Sequence, residues 1–328
     1  MSNMNPDLIK AGVDNLVNHC AKVTGGERVL IVNARGKVEP ELAALIQKAV
    51  ETAGAFCEYI WIDPVHKEVT ILPPTLVRAI EVSDKIIFNG SISRVLLNRY
   101  LKDRDVVEIN NYYLNSHAMC AADARFDWRE LRCLFTSIEQ SFLGAKKWSI
   151  TTTMGTELSG HIAGATDVSQ AFFVKSGDSL RKRRVFPGEV FSPVGVMGAE
   201  GKVAVQYINE LDDLAWDDPV IAVIRNGRVS ALEGDGPHRG VLERLLEEKQ
   251  QVYGDQALML DSWHGGMNPE ARVPSIDDPR LEGARTSPAL MHVHLGSQLD
   301  TISAGMLNAI VEVDGKKIFE QGRCLLFE

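Results

Sequence analysis

The chain has 328 residues, a formal net charge of −9 and a pI near 5.5, a balance that excludes non-specific nucleic-acid binding, which needs a basic face. Hydrophobic residues make up 45% and charged residues 24%, as in ordinary globular proteins, and the length predicts two domains. No run of about 18 apolar residues occurs, so no membrane-spanning helix is expected.

Leu8, Ile9, Val13, Leu16, Val17 and Ala21 recur at helical spacing over residues 7–23, and Gly25-Gly26 ends that helix. Residues 28–32 form a short apolar run that suits a strand covered on both faces. A helix over 39–53, a strand over 56–62, a helix over 74–82 and a strand over 85–88 follow. This alternation predicts an α/β layer with parallel strands. Residues 106–110 read as a strand, 128–143 as a helix and 148–153 as a strand.

Beyond about residue 150, β-rich stretches replace the alternation, at 171–174, 203–208, 220–224 and 309–313. One helix interrupts over 238–253, with apolar spacing at Val241, Leu242, Leu245 and Leu246. A boundary near residue 145 is therefore expected. It separates an α/β N-terminal domain with a parallel sheet (1–145) from a mostly antiparallel, β-rich C-terminal domain (146–328).

Gly25-Gly26-Glu27 precedes its strand, and Asn33-Ala34-Arg35-Gly36 has one glycine, so no dinucleotide fingerprint is present. The basic run Arg181-Lys182-Arg183-Arg184 is isolated and reads as a solvated loop or a salt-bridged strand end. The five dispersed cysteines, Cys20, Cys57, Cys120, Cys133 and Cys324, read as free thiols. The first residues lack the pattern of a signal peptide, so a cytoplasmic location is expected. Gly-x-Ser-x-Gly is absent, which argues against a nucleophile-elbow hydrolase.

The densest chemistry lies near the C-terminus. His292 and His294 stand one residue apart, with Asp300 close behind and His264 upstream in Ser262-Trp263-His264-Gly265-Gly266. Imidazoles and a carboxylate are the side chains that bind Fe(II), Zn or Mn at neutral pH. In an extended strand, residues two apart share a face, so His292 and His294 would point into one cavity. Gln298 and Asp300 share that parity unless Gly296 breaks the strand. The competing reading is a set of histidines that only hydrogen-bond within a pocket. His117, in a polar loop, and His161, after Gly155-Thr156-Glu157-Leu158, are further catalytic candidates, the second as a proton donor. Exposed or capping histidines are the alternative for both.

Several segments resemble one family in order. Residues 148–158, WSITTTMGTEL, resemble the "VTxxxGTDL" strand-turn of the M29 (thermophilic aminopeptidase) superfamily. FPGEVFSP at 186–193 resembles its "PxGEVFxAP" segment, GMNPEA at 266–271 its "GxGxNPxA" segment, and Val313-Asp314-Gly315 with Gly322 its "VDG…G" ending. The superfamily contains metalloaminopeptidases and Fe(II) ring-cleaving 2,5-dihydroxypyridine 5,6-dioxygenases. The chain length, Asn268-Pro269-Glu270-Ala271-Arg272 and a histidine near this segment resemble the dioxygenase branch more closely. By resemblance, Glu189 takes the position of a metal-ligand glutamate of the peptidases. The closing "HxD" motif departs from the family. Either Gln298-Leu299-Asp300 stands there, or His292-Val293-His294 does with a histidine in place of the carboxylate.

The resemblance implies a non-haem, metal-dependent enzyme, dioxygenase-like, acting on a small oxygenated or heteroaromatic ring. His264, His292, His294 and Asp300 are the expected ligands for Fe(II), with Zn or Mn as alternatives, and Glu189, His117 and His161 are the expected catalytic residues. A metallo-aminopeptidase-type hydrolase is the second reading, and a non-catalytic binding protein on an eroded peptidase scaffold the third. The expected partner is a small-molecule substrate, and the resemblance implies a homo-oligomer.

Overall fold

A computed structural model describes residues 5–64, 71–90, 92, 94–101, 104–162, 183–188, 190–191, 198–208, 211, 215–273, 286–296 and 301–327. The chain divides into two units, Met1–Cys133 with Ser176–Glu189, and Leu134–Lys175 with Val190–Glu328. Among the described residues, no helix is long and apolar enough to cross a membrane.

The first unit opens with α1 (Pro6–Asp14), capped by the Asn5 side chain, which accepts from the Asp7 amide. The helix then widens into a π-helical turn, Asn15–Cys20, where a uniform α-helix was expected. The change begins at buried Asn15, whose amide donates to the carbonyls of Ala124 and Phe126 while its oxygen accepts from the Trp128 amide. The strand–helix alternation follows as β1 (Arg28–Ala34), α2 (Pro40–Thr52), β2 (Phe56–Ile62), α3 (Pro74–Val82), β3 (Lys85–Asn89), α4 (Arg94–Leu101) and β4 (Val107–Asn111). α2 buries Leu42, Ala43, Ile46 and Val50, a single stripe at helical spacing. α5 (Ser116–Met119), α6 (Ala122–Arg125) and α7 (Trp128–Phe142) come next.

β5 (Lys147–Thr151) and β6 (Glu157–His161) belong to the second unit, and β7 (Arg183–Phe186) to the first. The first sheet has the order β2-β1-β3-β4-β7, and all its pairings are parallel. β7 comes from the basic run. Arg183 Nε lies 3.1 Å from the carboxylate of fully buried Glu108, and Arg184 lies over the Trp128 ring.

At the C-terminal ends of β1, β3 and β4, register aligns Asn33, Asn89 and Asn111. Asn111 donates to Asn89 at 2.8 Å, and Asn89 donates to Asn33 at 2.7 Å. The Tyr113 amide in turn donates to the Asn111 oxygen, which fixes the direction of the chain of amides. Buried amides are tolerated only when matched in this way.

The second unit continues with β8 (Val190–Phe191), β9 (Glu200–Val205), β10 (Tyr207–Ile208), β11 (Val220–Arg225), β12 (Arg228–Glu233) and α8 (Pro237–Tyr253). β13 (Leu260–Gly266), β14 (Leu290–Leu295), β15 (Ile302–Leu307), β16 (Ile310–Val313), β17 (Lys316–Glu320) and β18 (Arg323–Cys324) complete it. Its strands form two antiparallel sheets, one of order β12-β11-β9-β6-β5-β16-β17-β18 and one of order β10-β15-β14-β13-β8. The expected fold class, a parallel α/β layer plus an antiparallel β domain, is therefore what the chain adopts.

One expected strand is two. Residues 203–208 divide at Gln206, with β9 in the eight-stranded sheet and β10 in the five-stranded one. Gln206 holds the corner. Its amide donates to the Gly305 carbonyl at 2.8 Å, and its side-chain oxygen accepts from the Leu307 amide at 3.0 Å. The expected strand over 171–174 lies outside the described residues.

Replacing Asn89 by Ala strips one partner from Asn33 and one from Asn111. Each unmatched buried group costs about 1–3 kcal/mol, so a loss of about 3 kcal/mol is expected in urea unfolding. A loss below about 1 kcal/mol would show that the asparagine chain contributes little.

Candidate metal centre

The five-stranded sheet has two chemically different faces. Cross-strand partners point to the same side, and residues two apart share that side. One row across the sheet is Trp263, Val293, Ala304 and Ile208, all buried. On this side the Trp263 ring packs 5.5 Å from Trp148 of β5 and 6.1 Å from Phe142 of α7. The adjacent row, on the opposite side, is His264, His292, Gly305 and Tyr207. Beside it on that same side lie Ser262, His294 and Ser303. The apolar side anchors the sheet in the hydrophobic core, and the other side collects imidazoles and hydroxyls.

β14 is therefore a regular strand in which the two-residue period directs His292 and His294 the same way, as the sequence led us to expect. The strand stops at Gly296, whose φ of +113° suits glycine and whose amide donates to the Met259 carbonyl. Gln298 and Asp300 lie outside the described residues, as does Glu189.

One ligand atom from each of His264, His292 and His294 lies within 4.8 Å of the others. His264 Nε2 and His294 Nδ1 are 3.2 Å apart. Two nitrogens each about 2.1 Å from one ion stand roughly 3.0–3.4 Å apart in octahedral or tetrahedral geometry, so this pair already has the spacing of metal ligands. The His264 and His292 rings stack with centroids 4.9 Å apart, and His294 tilts by 42° against His264. His292 is buried, and the other two are half-buried. The donor set fits a borderline divalent ion such as Fe(II), Zn or Mn.

Ser262, the direct register partner of His294, gives no signal in the sequence. Its hydroxyl lies 2.8 Å from His264 Nε2 and 3.3 Å from His294 Nδ1. Serine is too common a residue to signal a site on its own. It becomes visible once register sets it opposite His294.

The other candidates lie elsewhere. His161 sits on β6 with Lys147 and Ser149 on the exposed side of the eight-stranded sheet, opposite the side that carries Trp148 and Leu158. It lines a trough of about 330 Å³ with Lys147, Ser149, Ser159, Glu200 and Glu312. Strand alternation turns it away from the five-stranded sheet and its imidazoles. His117 is an exposed residue of α5 in the first unit.

Comparison with solved structures gives the fold a context. The 2,5-dihydroxypyridine dioxygenase of Pseudomonas putida KT2440 superimposes with a TM-score of 0.74 at 12% identity, covering 97% of this chain and 96% of its own. The two chains share one fold. Wild-type AmpT from Thermus thermophilus matches with a TM-score of 0.57 at 11% identity, covering 97% of this chain and 99% of its own. No family model matches the sequence, and no curated protein does. At this identity the likeness speaks for architecture alone, and chemistry has to be argued from the side chains.

An ion seated on His264 Nε2 and His294 Nδ1 would displace the hydrogen bonds these nitrogens now share with Ser262. Ser262→Ala should therefore weaken the metal-free state by about 1 kcal/mol and leave the loaded state less affected, so metal binds about fivefold tighter. Calorimetric titration checks this. Weaker binding instead would make Ser262 a ligand.

Proposed function

We propose that the chain is a metal-dependent, dioxygenase-like enzyme acting on a small oxygenated or heteroaromatic ring. His264, His292 and His294 hold the ion, Fe(II) in the first instance, with Zn or Mn as alternatives. The observation that carries this reading is the convergence of three imidazoles on one face of one sheet. It gains support from a fold shared with a dihydroxypyridine dioxygenase. Asp300 is proposed as an acidic fourth participant and Glu189 as a residue lining the site.

A bound ferrous ion would supply Lewis acidity and one-electron chemistry toward O₂. The protein's own part is positioning. Two adjacent strands, β13 and β14, hold the ligand side chains on a hydrogen-bonded frame, and the buried indole on the opposite side resists displacement. Ser262 hydrogen-bonds the His264 and His294 ring nitrogens in the metal-free state, the positions an ion would take over. The half-burial of His264 and His294 leaves an approach for a small ligand.

The hydrolase reading needs a carboxylate to deprotonate water. Among the described residues, the converging group consists of imidazoles alone. Glu189 is the residue on which the alternative turns.

Protein purified without a chelating tag should carry about one metal ion per chain by elemental analysis, and this content defines the proposal. Content far below that would support the eroded, non-catalytic scaffold. His264→Ala, His292→Ala and His294→Ala should each cost more than the roughly 10–100-fold typical of residues that only support a ligand. Asp300→Asn with unchanged affinity would remove Asp300 from the set. Oxygen uptake with Fe(II) and 2,5-dihydroxypyridine, set against release from aminoacyl reporters, separates oxygenase from hydrolase. Glu189→Gln should abolish only the second activity.

Protons compete with metal for imidazole nitrogen, which ordinarily titrates near 6.5. Loading should therefore fade as pH drops from about 6.5 toward 5 and return on neutralisation. Loading that stays constant through this range would argue that imidazoles are not the principal ligands.

A further inference from the structure

The row of the imidazole site does not end at His292. It continues through Gly305 of β15 to Tyr207 of β10. We infer that Tyr207 is the fourth wall of this site and turns its phenol toward the ligand held there. The inference rests on the metal-site reading and adds a specificity-determining residue to it.

The geometry comes from Gly305. A Cβ built on Gly305 would lie 2.2 Å from Tyr207 Cε1 and 2.2 Å from Cζ, so the ring occupies the space above this residue. Cζ is the atom that bears the hydroxyl. Gly305 is the direct cross-strand partner of His292, and neighbouring strands stand about 4.8 Å apart. The phenol carbon thus sits about one strand spacing from the position of His292. Any side chain at Gly305 would expel the ring.

The surroundings of the ring divide by polarity. Leu290 and Leu307, register partners one step along the strands, pack against it. On the other side along the same strands lie His294 and Ser303, also register partners. An aromatic body against leucines, with its hydroxyl-bearing carbon over the register partner of His292, suits tyrosine, whose two ends differ in polarity. A planar, oxygenated ring chelated at the imidazoles would meet an aromatic edge and a hydroxyl able to donate to its oxygen. That chemistry distinguishes planar chelating ligands from flexible ones of similar charge.

Two measurements test the inference. In metal-free protein with labelled Tyr and His, nuclear Overhauser cross-peaks should connect the Tyr207 ring to the His292 imidazole. In cobalt-loaded protein, Tyr207→Phe should retain wild-type metal content but bind catechol about tenfold more weakly, the value of one hydrogen bond. Gly305→Ala, which displaces the whole ring, should weaken catechol at least as much. Missing cross-peaks, or unchanged catechol affinity in Tyr207→Phe with full metal content, would overturn the role of Tyr207 and leave the metal site standing. A wild-type chain that takes up no cobalt would overturn the metal-site reading and the ligand contact with it, while the cross-peaks would still decide where the ring lies.

Discussion

The register of β13 against β14 is the constraint on which the site depends. It pairs His264 with His292 and Ser262 with His294. Because strand side chains alternate with a period of two, a slip of one residue would turn Trp263 toward the imidazoles and bury a histidine in the core. The Trp263 indole, fully buried and packed on Trp148 and Phe142, makes such a slip costly. Burying a large aromatic contributes roughly 1.5–3 kcal/mol, and unmatched imidazoles in its place would add a desolvation cost. The apolar side thus fixes where the polar side can be.

The same logic links β10 to the rest. A two-residue strand has little stability of its own, and it is held by the Gln206 corner, which bonds to β15 through both backbone and side chain. Gly305 then admits the Tyr207 ring where any other residue would bar it. The small residues of β15, Ser303 and Gly305, leave room above this part of the sheet, and larger neighbours occupy it.

The parallel layer was legible in the sequence because its strands are short apolar runs separated by helices with one clear stripe. β1 and α2 are examples, with Val29–Val32 buried together and Leu42, Ala43, Ile46 and Val50 on one face. The imidazole site was legible as composition, since three histidines and a carboxylate in a short stretch stand out whatever the fold. Its geometry was legible only for His292 and His294, which share one strand. β13 contains His264, Gly265 and Gly266, and β15 contains Ser303 and Gly305, residues with weak strand propensity that are held by pairing on both sides. Ser262 and Tyr207 gave no local signal because their roles arise from partners 32 and 98 residues away, His294 and Gly305. β7 was legible only as one of two alternatives. Arg183 and Arg184 read as a solvated loop or a salt-bridged strand end, and the partners Glu108 and Trp128 decide for the strand. The nearness of His161 to a motif says nothing about which side of its strand it occupies, and β6 turns it to the side away from the imidazoles.

Charge gives the last step. Three neutral imidazoles leave the full charge of a divalent ion uncompensated, whereas two imidazoles and a carboxylate would cancel part of it. In a half-buried site the attraction between that ion and an anionic oxygen is several times its value in water. A ligand able to shed protons from adjacent oxygens on a ring would be favoured over a neutral amide or an amine. Nitrogen donors alone do not select iron, because the general affinity order places zinc and copper above it. Metal identity would then depend on supply and on how rigidly β13 and β14 hold the angle between His264 and His294. A carboxylate contributed by Glu189 or Asp300 would reverse both tendencies, lowering the preference for anionic ligands and favouring harder ions. The charge of the preferred ligand and the number of carboxylates at the ion are therefore two readings of one quantity.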